Sequence, residues 1–467
     1  MKRFLLPIAA AVIGTAAHAQ AVEAGQEDSL RMYRLQEIEV TATRADAATP
    51  VAYTDIARDE IARNSFGFDI PSVLALTPSM VATNETGIGI GATSVRLRGT
   101  DATRLNVTIN GVSMNNPDSH SMYWYDTPDL ISSVGTVQVQ RGAGISTNGT
   151  GAFGGAVNMT TEALPTDFNG SASLSYGSYN TNKQAVQVSS GLMGGHWAVD
   201  ARLTHIGSDG YIDRGATDLK SYMFQGAYYN GNTMLKLVSF GGKAKTYLTY
   251  NGVTKEDMKR YGRRYHDSGQ YVTSDGPFVL ADGTHVDYYD DQTDNYLQIN
   301  NQLILNHRIN DRWVMNATAF YTYGYGYYRQ YKDDAWLAGY TNLQSDIEQA
   351  DLIREKIMRN HLGGINASAA YSVRNLDLTF GGSWSYYSCP HWGTLDWVDE
   401  EKRHPGALVR QRCRQTRRQR LRARQLDSRP GVAPVRRHAI PLCALPGVGR
   451  QRQLQLGHLR DAAYRRR

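Results

Sequence analysis

VRLRGTDATRLNVTINGV, residues 95–112, contains two strand-type runs and a sharp reversal. Val95, Leu97, Leu105, Val107 and Ile109 are spaced two apart with polar residues between them, as in strands that bury one face. Asn110-Gly111 then supplies the dipeptide that best tolerates the positive φ angles of a tight hairpin. Working outward, VGTVQVQRG (134–142) and GTGAFGGAVNM (149–159) add two more strand-type runs. Upstream, Asp55 to Arg63 and Ile70 to Leu76 have the spacing of short helices, the second closed by Thr77-Pro78 because proline cannot continue it. These pieces make a small mixed α+β domain, drawn at residues 45–163.

From Gly170 onward the texture changes to long alternating segments. In LDLTFGGSWSY (376–386), Leu376, Leu378, Phe380, Trp384 and Tyr386 fall on one face, with Asp377, Thr379, Ser383 and Ser385 on the other. Trp197, Val199, Ala201 and Leu203 alternate in the same way with Asp200, Arg202 and Thr204. An apolar face turned to lipid around a polar lumen gives this pattern. Tight turns at 193–196, 230–232, 310–312 and 374–375 alternate with longer connections at 207–220, 243–294 and 324–358, after a first short one at 179–183. Short turns at one end and long loops at the other are the habit of outer-membrane barrels. About nine strands are expected over residues 168–398. The 467 residues include 45 Gly and 29 Tyr, which suits a many-stranded chain. No run approaches the roughly 20 apolar residues of a transmembrane helix.

Lys2 and Arg3 precede an apolar stretch from Phe4 to Ala17, and Ala17-His18-Ala19 offers a small-x-small cleavage site. Residues 1–19 therefore read as a Sec signal peptide and residues 20–44 as a periplasmic leader. The cysteines, Cys389, Cys413 and Cys443, provide neither a disulfide framework nor a CxxC motif. Gly149, Gly151 and Gly154 match GxGxxG, but a nucleotide loop must open a helix, whereas Gly155 to Met159 continues as a strand. These glycines are expected to let the backbone turn tightly and pack against the wall.

The order EIEVTATR (37–44), IPSVLALTP (70–78), VRLRGTDATRLNVTINGV, VGTVQVQRGAG (134–144) and GTGAFGGAVNM resembles the TonB box and plug of TonB-dependent outer-membrane receptors. The resemblance covers residues 35–163. It implies a TonB box at 35–44, with Glu37, Ile38, Glu39, Val40, Thr41 and Ala42 pairing with TonB as an added strand. It also implies a plug inside an antiparallel barrel of the 22-strand class, of which this chain carries the first part. Such a receptor sits in the Gram-negative outer membrane among lipid and admits a scarce nutrient. The nearest likeness is to receptors for ferric siderophores and other iron complexes. Cobalamin is the alternative cargo, and a structural or adhesive barrel the alternative class.

Ligand contacts are expected from the plug loop NNPDSHSMYWYD (115–126), through Asp118, His120, Tyr123, Trp124 and Tyr125. Carboxylate, imidazole and aromatic groups suit a chelated metal or a flat organic ligand. Asn84 opens a second, Gly-rich loop (84–92) that could close over it. YYDDQTD (288–294) lacks the Asp-x-Asp-x-Asp-Gly order of a calcium loop. No HExxH, Ser-His-Asp order or supported carboxylate pair points to an enzyme, and no resident metal or cofactor is expected.

The final segment, 399–467, is different again. It holds eighteen Arg and one Lys against five acids, a local excess of +14, so the remainder of the +6 chain is acidic at about −8. Its only aromatic residue is Tyr464, and neither strand alternation nor a helical stripe persists through RQRCRQTRRQRLRARQ (410–425). An arginine-rich arm for nucleic acid has no place on an exported barrel. Out-of-frame translation of a GC-rich gene gives this composition, so the tail is expected to be irregular and the product truncated and non-functional. Resequencing around codons 397–402 should show that inserting or deleting one or two bases restores a Tyr-, Asn- and Gly-rich alternating sequence. A read in which no frame continues the strand pattern would overturn this.

Overall fold

The computed structural model describes residues 44–45, 49–65, 69–143, 152–249, 252–337, 340, 348–374, 376–399 and 422–427. The TonB box expected at 35–44, apart from Arg44, and the signal peptide lie outside them, as do Gly149 and Gly151.

The N-terminal domain is built on a five-stranded sheet. Its strands are β1 (Ala52–Ala57), β4 (Leu105–Ile109), β5 (Val112–Ser113), β6 (Val134–Arg141) and β7 (Gly155–Thr161), in the order β1-β6-β7-β4-β5. β4 and β7 run parallel and the other pairs antiparallel. A separate hairpin joins β2 (Met80–Asn84) to β3 (Thr93–Leu97). The helix Arg58–Ser65 lies against β1 and β6 of the sheet, and the helix Ile70–Leu74 lies against the β2–β3 hairpin. The first helix starts later than the sequence suggested: Asp55 to Ala57 belong to β1, because the edge of β6 pairs with them from Ala57 back to Ala52. Ile56, Ile61, Leu74, Leu97, Val107, Val139, Val157 and Met159 fill the core.

The second part is a wall of antiparallel strands: β8 (Asn169–Tyr176), β9 (Asn182–Met193), β10 (Trp197–Ser208), β11 (Thr217–Asn230), β12 (Thr233–Tyr247), β16 (Thr293–Arg308), β17 (Trp313–Trp336), β18 (Gln349–Val373), β19 (Leu376–Ser388) and β20 (His391–Val398). β19 and β20 both pair with β18 in nearly continuous register and so form one strand interrupted at Cys389-Pro390. Counting that pair as one, nine wall strands precede Asp399 among the described residues. Between β12 and β16, a loop carries a helix at Lys255–Tyr261 and a small sheet of β13 (Gln270–Val272), β14 (Phe278–Val279) and β15 (His285–Tyr288). No helix among the described residues is long and apolar enough to cross a membrane.

Two differences from the sequence reading stand out. The stretch 324–358 is mostly strand, not loop, because β17 runs to Trp336 and β18 begins at Gln349. In the tail, expected to be irregular, Arg422–Asp427 form β21, which pairs with the open edge of β19 from Gly381 to Tyr386. An unpaired strand edge is a template that accepts even a poorly patterned partner.

The alternation expected for the wall is present. Trp197, Leu203, Phe380 and Trp384 point outward, with Leu203 66% and Phe380 57% exposed. Asp200 and Thr204 turn inward and are buried. The lumen is less uniformly polar than expected, however. Met223, Met234, Val238, Phe240 and Ile304 line the inner face of β11, β12 and β16 and join the plug's own core. The plug presents apolar surface there, and water is excluded from both.

The plug turn at Asn110-Gly111 is the anchor on the wall side. Both residues have positive φ, 51° and 75°, which Asn and Gly tolerate and most residues do not. The Asn110 side chain accepts from the Thr161 amide at 2.9 Å and donates to Gln302 of β16 at 2.9 Å. Replacing Asn110 by Ala should therefore remove two buried hydrogen bonds and strain the turn, costing about 2–4 kcal/mol of plug–wall stability. Urea unfolding followed by tryptophan emission would measure this, and a loss below about 0.5 kcal/mol would contradict it.

Candidate functional site

The loop 115–126 is braced from within. Asn115 accepts from the Val107 amide at 2.7 Å and donates to the carbonyls of Leu105 and His120 at 2.8 and 2.9 Å. Asn116 bonds Ser121 and His120 through its backbone, and its side-chain oxygen receives the Asp118 amide at 2.8 Å. These contacts close a compact turn in which His120 takes a φ of +58°. The turn sits against the inner face of the wall, where Tyr387 donates to Asn116 at 3.1 Å.

The six residues singled out for ligand contact divide into two groups. Asp118 and His120 stand at the exposed tip, and Tyr123 is 42% exposed. Trp124 is 3% exposed and belongs to the plug core. Tyr125 donates to Asp294 of β16 at 3.0 Å and packs edge-on against Tyr123, with ring centroids 6.2 Å apart. Asn84 turns into its own loop, donating to Ile90, Ala92 and Thr93 and accepting from Thr86, Ile88 and Gly89. That loop is docked rather than raised. The Thr86 carbonyl accepts the amides of Tyr211 and Ile212, and Ile90 is buried with Ile206, Leu219 and Ala244 of the wall.

Below the tip, Asn116, Tyr123, Asp126, Asn300, Asn360 and Tyr387 supply polar groups to the lining of a small cavity that Met114, Met122 and Leu362 also border. Asp126 Oδ1 and Asn360 Oδ1 are buried there without a hydrogen-bond donor. Burial first, and Asp294 second, push the Asp126 carboxyl well above the ordinary carboxylate range. The same two causes bring Glu85 up to about 7. Elsewhere on the seam Asp129 is paired with Lys183 of β9, and its other oxygen accepts from Thr204 of β10 at 2.8 Å.

Three features were not foreseen in the sequence. His391 of β20 reaches Asp118 at 3.0 Å, and Cys389 lies beside it. Their spacing of two residues was the available signal. Arg214, from the connection between β10 and β11, stacks at 3.3 Å on Tyr288 of the loop between β12 and β16, and burial together with Arg214 holds His266 of that loop down at about 4. Two acids of the run 288–294 are paired: Asp291 meets Arg329 and Lys245, and Asp294 meets Tyr125. Gly154 and Gly155 pack within the plug and not on the wall, since a Cβ there would collide with Thr100 or with Gln140 and Leu97.

Residues 45–156 match the family model described as TonB-dependent Receptor Plug Domain. Those residues thus carry the plug domain of TonB-dependent receptors. Solved structures carry the same fold at low identity. The ferripyoverdine receptor of the outer membrane of Pseudomonas aeruginosa has a TM-score of 0.58 at 15% identity, with 83% of this chain and 50% of that one covered. The ferric-catecholate import receptor Fiu from E. coli K12, in its closed form, has a TM-score of 0.56 at 17% identity, covering 79% and 52%. The ferric citrate transporter FecA, unliganded, has a TM-score of 0.56 at 15% identity, covering 78% and 51%. The chain thus spans about half the length of these structures. No curated protein matches it.

Within that plug domain Asp69 is buried. Burial first and Asp129 second bring its carboxyl up to about 7. The folded state then holds a proton that the unfolded chain releases near the ordinary carboxylate value, so stability falls as pH rises through that interval. Lowering the pH from about 7 to about 5 should stabilise the plug through this one group, with a slope that steepens toward a limit of about 1.4 kcal/mol per pH unit. Asp69→Asn should remove that share of the slope. A pH series of unfolding midpoints with the same slope in both proteins would contradict it.

Proposed function

We propose that the chain is part of an energised importer of the Gram-negative outer membrane, exported by the Sec pathway behind a cleaved signal peptide at 1–19. Its cargo is a ferric siderophore or another iron complex. The carrying observation is a plug seated against a β-wall on a seam that combines an apolar patch on β11, β12 and β16 with hydrogen bonds at Asp129, Asn110, Tyr125 and Asn116. Such a seam holds a plug in register, and its hydrogen bonds can be exchanged for water one by one when the plug is pulled. A seam wholly of interlocked apolar side chains would not yield so easily.

In this reading Glu37 to Ala42 pair with TonB as an added strand, and the pull enters the plug through Arg44 and β1. Arg44 bonds Thr136 of β6, and the backbone of Ala45 is gripped on both sides by Gln138. Cargo meets Asp118, His120 and Tyr123 at the tip, while Trp124, Tyr125 and Asn84 keep that surface in shape. The solved receptors that share this fold include importers of ferric catecholate and ferric citrate, which supports iron over cobalamin.

The test uses a receptor completed in the strand-continuing frame. Ile38→Pro or Val40→Pro removes a backbone donor from the pairing strand, so uptake of radioactive iron complex should stop while the complex still binds at the cell surface. Uptake by the Pro variants at the parent rate, or no binding of any iron complex by the parent, would sink the proposal.

A further inference from the structure

Asp118 comes from the plug loop, Cys389 from the interruption between β19 and β20, and His391 from the first position of β20. The Cys389 sulfur lies 3.2 Å from His391 Nε2, and Asp118 Oδ2 lies 3.0 Å from the same nitrogen. All three atoms fall within 4.8 Å of one another. Cys389 is buried, while the Asp118 and His391 side chains are 29% and 39% exposed.

Two readings of this cluster can be separated by its geometry. A relay of the Cys–His–Asp kind needs the thiol on one ring nitrogen and the carboxylate on the other, so that a proton can pass through the imidazole. Here both partners crowd one nitrogen, which carries a single hydrogen or a single lone pair. A relay is therefore excluded. Convergence of sulfur, nitrogen and oxygen on one point is what a metal ion requires. In a tetrahedral site with bonds of about 2.0–2.3 Å, ligand atoms stand roughly 3–4 Å apart; the two separations from His391 Nε2, 3.2 and 3.0 Å, fall in that range, and the sulfur and carboxylate oxygen lie within 4.8 Å of each other.

We propose that Asp118, Cys389 and His391 bind one borderline divalent cation of the Zn2+ type across the plug–wall seam. Thiolate and imidazole select such an ion over the hard cations Ca2+ and Mg2+. Binding releases the thiol proton to solvent, so the site carries two negative ligands and a neutral imidazole around a 2+ ion. Three protein ligands leave the fourth position open to solvent or to a donor atom of a ligand at the loop tip. Because one ligand belongs to the plug and two to the wall, the ion fastens the two together where the cargo-facing loop meets the barrel. The site does not depend on the transport reading, since it requires only that plug and wall be docked.

The test uses the purified 467-residue chain in detergent, with Cys413→Ser and Cys443→Ser in place so that Cys389 is the one thiol. One equivalent of Co2+ should bind, with the near-ultraviolet charge-transfer absorption of a thiolate–cobalt bond, and excess Zn2+ should displace it. Cys389→Ser should abolish that absorption. Asp118→Asn should keep it while weakening Zn2+ binding at least tenfold. Zn2+ should raise the urea midpoint of plug–wall separation in the parent and much less in Asp118→Asn, as expected of a ligand that binds only the docked form. Lack of the absorption in the parent overturns the proposal. So does equal Zn2+ affinity with and without the Asp118 carboxylate, which would leave a site confined to the wall. Uptake measurements play no part, so failure here is distinct from failure of the transport reading.

Discussion

A β-strand has two faces, and every wall strand here must satisfy different surroundings on each. Outward, Trp197, Leu203, Phe380 and Trp384 make an apolar surface, which suits a solvent that offers backbone groups no hydrogen bonds. In such a solvent each unpaired amide or carbonyl costs several kcal/mol, so the strands are laced to one another along their length. Inward, the same strands meet a folded domain. Asp200, Thr204, Gln225, Asn300 and Gln302 are buried because the plug fills the space beside them. The inner face is therefore specified residue by residue by the plug surface it meets, whereas the outer face needs only to be apolar.

That inner match has two parts with different physical roles. On β11, β12 and β16 the wall shares an apolar core with the plug through Met223, Val238, Phe240 and Ile304. Apolar contact gives attraction without direction. Register comes from the polar contacts around it: Asn110 to Gln302, Asn366 to the Gly111 carbonyl at 3.1 Å, Lys236 to Thr161 at 3.0 Å, and Lys183 with Thr204 on Asp129. Each is worth only about 1 kcal/mol net, yet leaving any one partner buried and unbonded costs more. The plug is held in one orientation by the penalty on the alternatives.

The plug sheet and the alternation of β10 and β19 could be read from sequence because each rests on a period of two within a short window. So could the Asn110-Gly111 turn, which rests on two residues. The long β17–β18 hairpin was hidden by its glycines. In YTYGYGYYRQY (321–331) glycine reads as loop, yet Gly324 and Gly326 are where the Tyr296 ring lies across the strand and a Cβ would collide with it. Glycine there makes room for an aromatic side chain from the neighbouring strand. The tip of the 115–126 loop was visible as a cluster of polar and aromatic residues. The division of labour within it was not, because Trp124 is claimed by the plug core and Tyr125 by Asp294, 169 residues away. A local window carries no information about such partners.

The interruption at Cys389-Pro390 shows how a small defect can be tolerated in a wall that otherwise pairs fully. Proline has no amide hydrogen, so it costs the ladder one donor. Its carbonyl still accepts from Arg359 of β18 at 3.2 Å, and pairing resumes at His391 opposite Met358 without loss of register. Tyr387, Cys389 and His391 stay spaced by two, and all three meet the plug side of the wall. The plug loop arrives at this point, with Asn116 on Tyr387 and Asp118 on His391. A residue that donates nothing to the sheet thus stands between Tyr387 and His391, the two strand residues that take contacts from the plug loop.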